Sequence, residues 1–341
     1  MTRRARPWSE LERDELLRVR VKDLGLDLAS SPLQARLDQL LSEFDAKGIA
    51  FRPYAWLSTD WFCPDGLTGF AIPFFLAHPR LVRLERSQML EVEGGSAAQC
   101  MKLMRHEAAH AIDNAYGLRR RRDWRETFGR AGEPYRASYS PDPTSRASVL
   151  HLNDWYSQSH PLEDFAETFA VWLAPGSRWR RRYAGWPAMK KLEYVDRLMA
   201  EIGGRKPKLR TRAREEQVAR VGMTLGTYYD RKKRYYADEG TPAFDGQLAR
   251  TFPGADAKGD PRPRLATLLG KKRRVLVGHV SGATGQHRYL VDHVVSEMVA
   301  RAKRRDLRLP ADEGAGMIDA AIVLTSLTSQ FLYGGHPKFQ R

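Results

Sequence analysis

Two histidines separated by three residues are the clearest candidates for chemistry in this sequence. The segment His106-Glu107-Ala108-Ala109-His110 has the form HExxH. Positions i and i+4 of a helix lie on one face, so both imidazoles can bind the same metal ion. Glu107 lies beside that face, where its carboxylate can take a proton from a water molecule on the metal. The spacing therefore predicts a metal centre that activates water.

A catalytic zinc ion has three protein ligands and a fourth position for water, so another element must supply a third ligand. Residues 160–173 (HPLEDFAETFAVWL) carry three acids among apolar residues, and burying an acid is costly unless it binds a cation. Glu167 has small and apolar neighbours and is predicted as the third ligand. Glu163 or Asp164 would orient a histidine ring through its other nitrogen. Alternatively, these two acids only stabilise the first helical turn. Asp113 is a further candidate for supporting a ligand, although it could equally lie at the surface.

Several helices and strands are needed to position these side chains. Apolar residues at helical spacing predict four helices in the first 204 residues, and bulky or short apolar runs predict three strands. Gly117 is expected to end the HExxH helix, and the Pro- and Ser-rich residues 132–148 are expected to form an irregular loop. The predicted helices are 33–44, 96–116, 162–173 and 189–202, and the predicted strands are 51–57, 69–76 and 81–84.

The second part of the chain begins after a Gly/Lys/Pro-rich stretch at 203–207. Its apolar spacing predicts further helices at 215–221, 224–237, 288–302 and 315–332. Residues 254–264 are polar and rich in Gly, Pro and Asp, which is typical of a linker. We therefore divide the sequence into two domains, 1–204 and 205–341.

Composition restricts the class of protein. The chain has 341 residues, of which 42% are hydrophobic and 29% are charged, and this excludes a mainly disordered, collagen-like or coiled-coil protein. With two cysteines, Cys63 and Cys100, neither a disulfide scaffold nor a Cys-rich zinc ribbon is expected. The basic N-terminus lacks the apolar run of a signal peptide, and no segment is long and apolar enough for a membrane span. These features predict a cytoplasmic protein that does not bind membranes.

The basic charge is concentrated late in the chain. The net charge is +16; residues 1–200 hold 30 basic and 26 acidic residues, whereas residues 201–341 hold 27 and 15. The runs 231–234 (RKKR) and 271–274 (KKRR) could contact phosphates or an acidic partner. The alternative is that they are solvated helix faces, because a charge sum gives solubility without specificity.

Taken with the acidic segment, the HExxH motif resembles the gluzincin class of zinc metallopeptidases, and in particular a bacterial family of zinc-binding metallopeptidases. The resemblance covers at least residues 8–200, including WLSTDWFCPDG (56–66) and RHEAAHAIDNAY (105–116). Phe165-Ala166-Glu167 matches the FAE segment of lethal-factor-like members, which implies that Glu167 is the ligand. Relatives often carry an N-terminal zinc ribbon, but no cysteine precedes Cys63, so one zinc ion is expected.

The resemblance implies an α+β fold, with a zincin-like metallopeptidase domain (a small mixed sheet plus active-site helices) followed by a mainly helical C-terminal region. It also implies hydrolysis of a peptide or amide bond in a peptide or protein substrate, with Glu107 as general base. The residues from 69 to 76 would pair with an extended substrate. The developing oxyanion needs a donor besides zinc. Tyr156 and His160 are the two candidates, and Tyr135 and Tyr139 lie on the neighbouring loop.

Two other functions fit the sequence less fully. The basic region 205–341 could bind nucleic acid while the zinc centre cuts a bound protein, and four tyrosines near the run 231–234 could stack on bases. These tyrosines could instead pack inside the protein; they are Tyr228, Tyr229, Tyr235 and Tyr236. A non-enzymatic, zinc-stabilised binding protein is the other alternative. It is disfavoured because a purely structural site has no use for a base at Glu107.

Overall fold

The computed structural model describes residues 6–136, 139–237, 244–256, 260–310 and 312–333, and the protein is mainly helical over these residues. Contacts between residues divide them into two units. The first unit contains residues 6–86 and 92–228, and the second contains residues 87–91 and 229–333. Residues 205–228, which follow the predicted boundary at residue 204, thus pack with the first unit.

The sheet of the first unit is small. In the described part of the chain it has two parallel strands, β1 (Tyr54–Ser58) and β2 (Gly69–Pro73), with Tyr54 opposite Gly69 and Ser58 opposite Pro73. It is therefore smaller than the mixed sheet that we expected. The helices up to residue 202 are α1 (Arg13–Leu17), α2 (Leu33–Ala46), α3 (Pro79–Met89), α4 (Ala97–Tyr116), α5 (Arg122–Phe128), α6 (Pro161–Leu173), α7 (Trp179–Arg182) and α8 (Ala188–Ile202).

Two sequence-based predictions of secondary structure are wrong. Residues 81–84 belong to α3 and not to a strand, because a short apolar run fits either element and here Leu81 and Leu84 form one buried helix face. Residues 215–221 contain only a short 3-10 turn at Val218–Arg220. Side chains of β1 bind the backbone just before that turn: Trp56 Nε1 donates to the carbonyl of Glu215 at 2.7 Å.

Helices α4 and α6 confirm the predictions at the motif and at the acidic segment, and they pack against each other. Ser96 caps the start of α4 by accepting a hydrogen bond from the backbone N–H of Gln99 at 3.2 Å. Gly117 ends α4 in the left-handed conformation, with φ of 64°, which glycine adopts without strain. His160 caps α6, and Pro161 occupies its first position. These three helix ends are thus set by residues next to them in the sequence.

In the described residues of the second unit, all regular secondary structure is helical. α9 (Leu225–Ala237) contains the boundary between the units and is followed by α10 (Phe244–Thr251), α11 (Leu265–Thr284), α12 (Arg288–Arg304) and α13 (Glu313–Tyr333). Leucine and valine side chains of α11, α12 and α13 form its core. The apolar pattern of the sequence does not predict α11, because the basic run 271–274 interrupts it between Leu269 and Leu276.

Several candidate nucleic-acid contacts have partners inside the protein. Lys271 Nζ lies 3.3 Å from a carboxylate oxygen of Glu313, and Arg273 pairs with Asp292. Tyr228 and Tyr229 are buried, and the ring of Tyr236 stacks on His287 with centroids 4.0 Å apart. Nucleic-acid binding by residues 205–341 stays a prediction.

None of the helices in the described part of the chain combines the length and the apolar character that a bilayer span requires.

Candidate metal centre

Three side chains from α4 and α6 converge on one point. His106 Nε2 lies 3.2 Å from His110 Nε2 and 3.0 Å from Glu163 Oε2, and His110 Nε2 lies 3.4 Å from the same oxygen. His106 and Glu163 are buried, while His110 is the most exposed of the three, with 13% of its side chain accessible. Solvent can therefore reach the group from the side of His110.

The three separations match those of ligands around a tetrahedral ion. Two ligands held about 2.0–2.1 Å from zinc at tetrahedral angles lie about 3.3 Å from each other. The measured range of 3.0 to 3.4 Å brackets this value. Among the described residues, this is the one group of three or more His, Cys, Asp or Glu side chains whose donor atoms could hold a metal ion. The distances between the donor atoms of His106, His110 and Glu163 are thus compatible with a bound metal ion.

Glu167, the ligand predicted from the sequence, occupies a different position. Its Oε1 lies 2.9 Å from His106 Nδ1, the nitrogen that faces away from the group, and its Oε2 accepts a hydrogen bond from the backbone N–H of Leu152 at 2.7 Å. A carboxylate at Nδ1 holds the proton there and leaves Nε2 for the metal. The structure therefore brings Glu163, and not Glu167, together with the two histidine Nε2 atoms.

The electrostatics of the group also favour a cation. Burial lowers the pKa of His106, but hydrogen bonds and charges from Glu163 and Glu167 outweigh it and hold that pKa well above its usual value. Burial raises the pKa of Glu163, but the two histidines outweigh it and hold that pKa well below its usual value. Burial raises the pKa of Glu107, and the histidines offset only part of that effect. Three buried carboxylates beside two imidazoles need positive charge, which a proton or a metal ion can provide.

A short segment before α6 is clamped to both helices. Lys102 Nζ donates to the carbonyl of His151 at 2.7 Å, and His151 Nε2 donates to the carbonyl of Lys102 at 3.1 Å. Burial lowers the pKa of His151 to about 4, so this ring stays neutral. The clamp holds the Leu152 N–H against Glu167, and so it indirectly fixes the orientation of His106.

An ion pair next to the motif was not found from the sequence. Arg105 Nε and Nη2 donate to the two carboxylate oxygens of Glu43 on α2, at 2.6 and 2.7 Å, and both side chains are buried. A signal was present, because Glu43 follows Leu37 and Leu40 on the apolar face of α2. An acid on such a face implies a buried partner. The pair anchors α4 one residue before His106.

Replacing Arg105 with Met is expected to destabilise the first unit by about 3–5 kcal/mol, because it leaves the buried carboxylate of Glu43 without a positive charge beside it. All eight tryptophans lie within residues 8–186, so their fluorescence during urea unfolding reports on the first unit. The control is Arg122→Met, which removes a fully exposed ion pair with Glu126 and should unfold near the wild-type urea concentration. Equal unfolding midpoints for Arg105→Met and wild type would contradict the anchoring role.

Two predicted supporting acids form ion pairs with basic side chains. Asp164 pairs with Lys191, and burial raises the pKa of Asp164 to about 6 despite that positive charge. Asp113 is buried and pairs with Arg119, whose backbone N–H also donates to it at 2.8 Å. Both acids have structural partners in place of the ring contacts that the sequence suggested.

The candidate oxyanion donors have different surroundings. His160 Nε2 donates to the carbonyl of Glu133 at 2.8 Å, and His160 Nδ1 accepts from the N–H of Leu162, so both ring nitrogens are engaged. The hydroxyl of Tyr139 donates to the carbonyl of Asp154 at 2.6 Å. The ring centroid of Tyr156 lies 5.7 Å from that of His106, a residue of the metal group. Of the two residues, Tyr156 is therefore better placed to meet a substrate.

The outer edge of β2 offers little for an extended substrate. Alternate residues of a strand face the same edge, and Ala71 already donates to the carbonyl of Phe62 at 2.8 Å. Pro73, the next residue on that edge, has no N–H. A substrate would therefore have to displace residue 62 before it could pair along β2.

The described residues thus contain a buried His-His-Glu group that could hold a metal ion, on two helices of a mainly helical protein. Of its members, the two histidines are those of the sequence motif, and the glutamate is one turn earlier on α6 than the predicted ligand. In comparisons with protein-family models, curated proteins and solved structures, the chain matches none of them.

Proposed function

We propose that this protein is a zinc-dependent peptidase that hydrolyses a peptide or amide bond. His106, His110 and Glu163 would bind one zinc ion, and Glu107 would act as the general base. In this proposal Glu167 orients His106 through Nδ1, and Glu163 takes the ligand role that the sequence suggested for Glu167.

One observation carries the proposal: the three separations of 3.0 to 3.4 Å between the two Nε2 atoms and Glu163 Oε2. Two histidines and one glutamate form a donor set that catalytic zinc uses, and it leaves a fourth position for water. The same donor set suits non-haem iron. Glu107 favours zinc hydrolysis over iron chemistry, because it adds a buried carboxylate next to the ligands where a base is needed.

The residues would divide the reaction among them. A zinc ion held by His106, His110 and Glu163 would supply Lewis acidity, which would lower the pKa of a water molecule and polarise the scissile carbonyl. Glu107 would accept a proton from the attacking water as the water oxygen bonds to the carbonyl carbon, and would then give that proton to the nitrogen as the C–N bond breaks. Tyr156 would donate a hydrogen bond to the oxyanion, and burial raises the pKa of its phenol well above the usual value, which keeps that proton in place.

We expect the purified protein to contain one zinc ion per chain and its zinc affinity to rise with pH. The raised pKa of His106 means that a proton occupies the position that zinc must take. Because zinc must displace this proton, zinc affinity should rise about tenfold per pH unit, from the ordinary histidine pKa upward through neutral pH. Mass spectrometry of protein purified without a metal-affinity tag gives the metal content. Competition with a chelator from about pH 6 to 8, a range that brackets the ordinary histidine pKa, gives the slope of zinc affinity against pH.

The control is the double variant His106→Ala, His110→Ala, which keeps the helix and should contain no zinc. Iron in place of zinc, or zinc that remains in the double variant, would contradict the proposal. A zinc affinity that does not change with pH would contradict the assignment of His106 as a ligand.

A further inference from the structure

Tyr135 touches the proposed ligand Glu163 on the side away from the histidines. Its hydroxyl donates to Glu163 Oε1 at 2.6 Å, while Glu163 Oε2 lies 3.0 Å from His106 Nε2. The two oxygens of one carboxylate are thus divided between a phenol and the metal group. The sequence offers no local signal for this contact, because 28 residues separate the two side chains.

A second residue holds the ring of Tyr135 in place. The ring stacks on His160 with centroids 4.0 Å apart and an interplanar angle of 17°. His160 is itself fixed by the carbonyl of Glu133 and the N–H of Leu162. His160 therefore serves as both the cap of α6 and a platform for Tyr135, three residues before the carboxylate that Tyr135 contacts.

A carboxylate can bind a metal through one oxygen or through both. If Glu163 used both, it would occupy the position that a catalytic zinc ion keeps for water. The phenol O–H donates to Oε1 at 2.6 Å, and this hydrogen bond holds Oε1 away from the ion. Oε2 is then the atom that binds the metal. Tyr135 is 58% exposed, so it adds little to the core, and its described contacts are the ring stack on His160 and the hydroxyl bond to Glu163.

We propose that Tyr135 is a positioning residue that restricts Glu163 to one metal-binding oxygen and thereby preserves the coordination position for water. This inference rests on the proposed function, since it needs Glu163 as a ligand. Outer hydrogen-bond partners of metal ligands typically change metal affinity by about 10- to 100-fold when they are removed. Tyr135 is expected to fall at the lower end of this range, because Glu163 and both histidines stay in place.

The test is Tyr135→Phe, which removes one hydroxyl and keeps the ring on His160. Zinc affinity, measured by chelator competition, should change by about tenfold. The absorption spectrum of the cobalt-substituted protein should shift as well, because the coordination of Glu163 changes. Tyr139→Phe is the matched control: its hydroxyl contacts the backbone of Asp154 on the same loop and should leave both measurements unchanged.

A background variant separates this inference from a general structural effect. In Glu163→Ala, the additional change Tyr135→Phe should have no further effect on zinc affinity, because the carboxylate through which it acts is gone. Suppose that Glu163→Gln weakens zinc binding but Tyr135→Phe shows wild-type zinc affinity and an unchanged cobalt spectrum. That result would overturn the inference about Tyr135. If Glu163→Gln itself left zinc binding intact, the proposed ligand set would fail instead.

Discussion

Replacing Glu107 with Gln is expected to lower peptide hydrolysis by about 10²- to 10⁴-fold, the usual contribution of a general base. Zinc content should stay at one ion per chain, because the three proposed ligands are untouched. The amide is nearly the same size as the carboxylate, so the buried helix α4 should also keep its packing. The measurement is cleavage of an unbiased peptide library, followed by kcat/KM for the best substrate and by metal analysis of the same preparation.

This variant also distinguishes an enzyme from a zinc-stabilised binding protein. A binding protein would lose nothing, since a structural zinc site does not use a base. Glu126→Gln is the control, because it makes the same chemical change at an exposed position on α5 and should keep full activity. An equal rate for Glu107→Gln and wild type would show that the cleavage does not occur at this site.

Replacing Glu163 with Gln is expected to weaken zinc binding more than replacing Glu167 with Gln. The first change removes the charge of a proposed ligand, leaving two histidines to hold the ion. The second leaves all three ligands and disturbs only the orientation of His106, for which about 10- to 100-fold is typical. Chelator competition at one pH gives both affinities, and the separation between them identifies the ligand.

Asp164→Asn is the matched control on the same helix. Asp164 pairs with Lys191 and is not part of the His106, His110 and Glu163 group, so its loss should change stability and leave zinc affinity near wild type. The reverse order, with Glu167→Gln as the weaker binder, would restore the ligand assignment made from the sequence and contradict the one made from the structure.

Local patterns accounted for the two helices that carry the site. The HExxH spacing defines which imidazoles can meet, and the predicted helices 96–116 and 162–173 are observed as Ala97–Tyr116 and Pro161–Leu173. Capping residues and apolar periodicity act within a few positions of each other, so they can be read from a sequence. The same reading fails for residues 81–84, because a run of four residues is too short to separate a strand from a helix.

The contacts between distant residues depended on the tertiary structure. Arg105 meets Glu43 across 62 positions, and Tyr135 meets Glu163 across 28, and each needs the packing of separate elements. Neither distance in sequence nor residue type indicates such pairs by itself. The acid at residue 43 signalled only that some buried cation had to lie nearby.

Sequence alone predicted a metal site made of two histidines and an acid from residues 160–173, with Glu107 as a neighbouring base. It did not determine which acid meets the Nε2 atoms. Glu163 and Glu167 are one helical turn apart on the same face, so each can point toward α4. The depth at which α6 packs on α4 decides that Glu163 faces Nε2 of His106 and Glu167 faces Nδ1, because one turn moves a side chain by about 5.4 Å, more than the width of the ring.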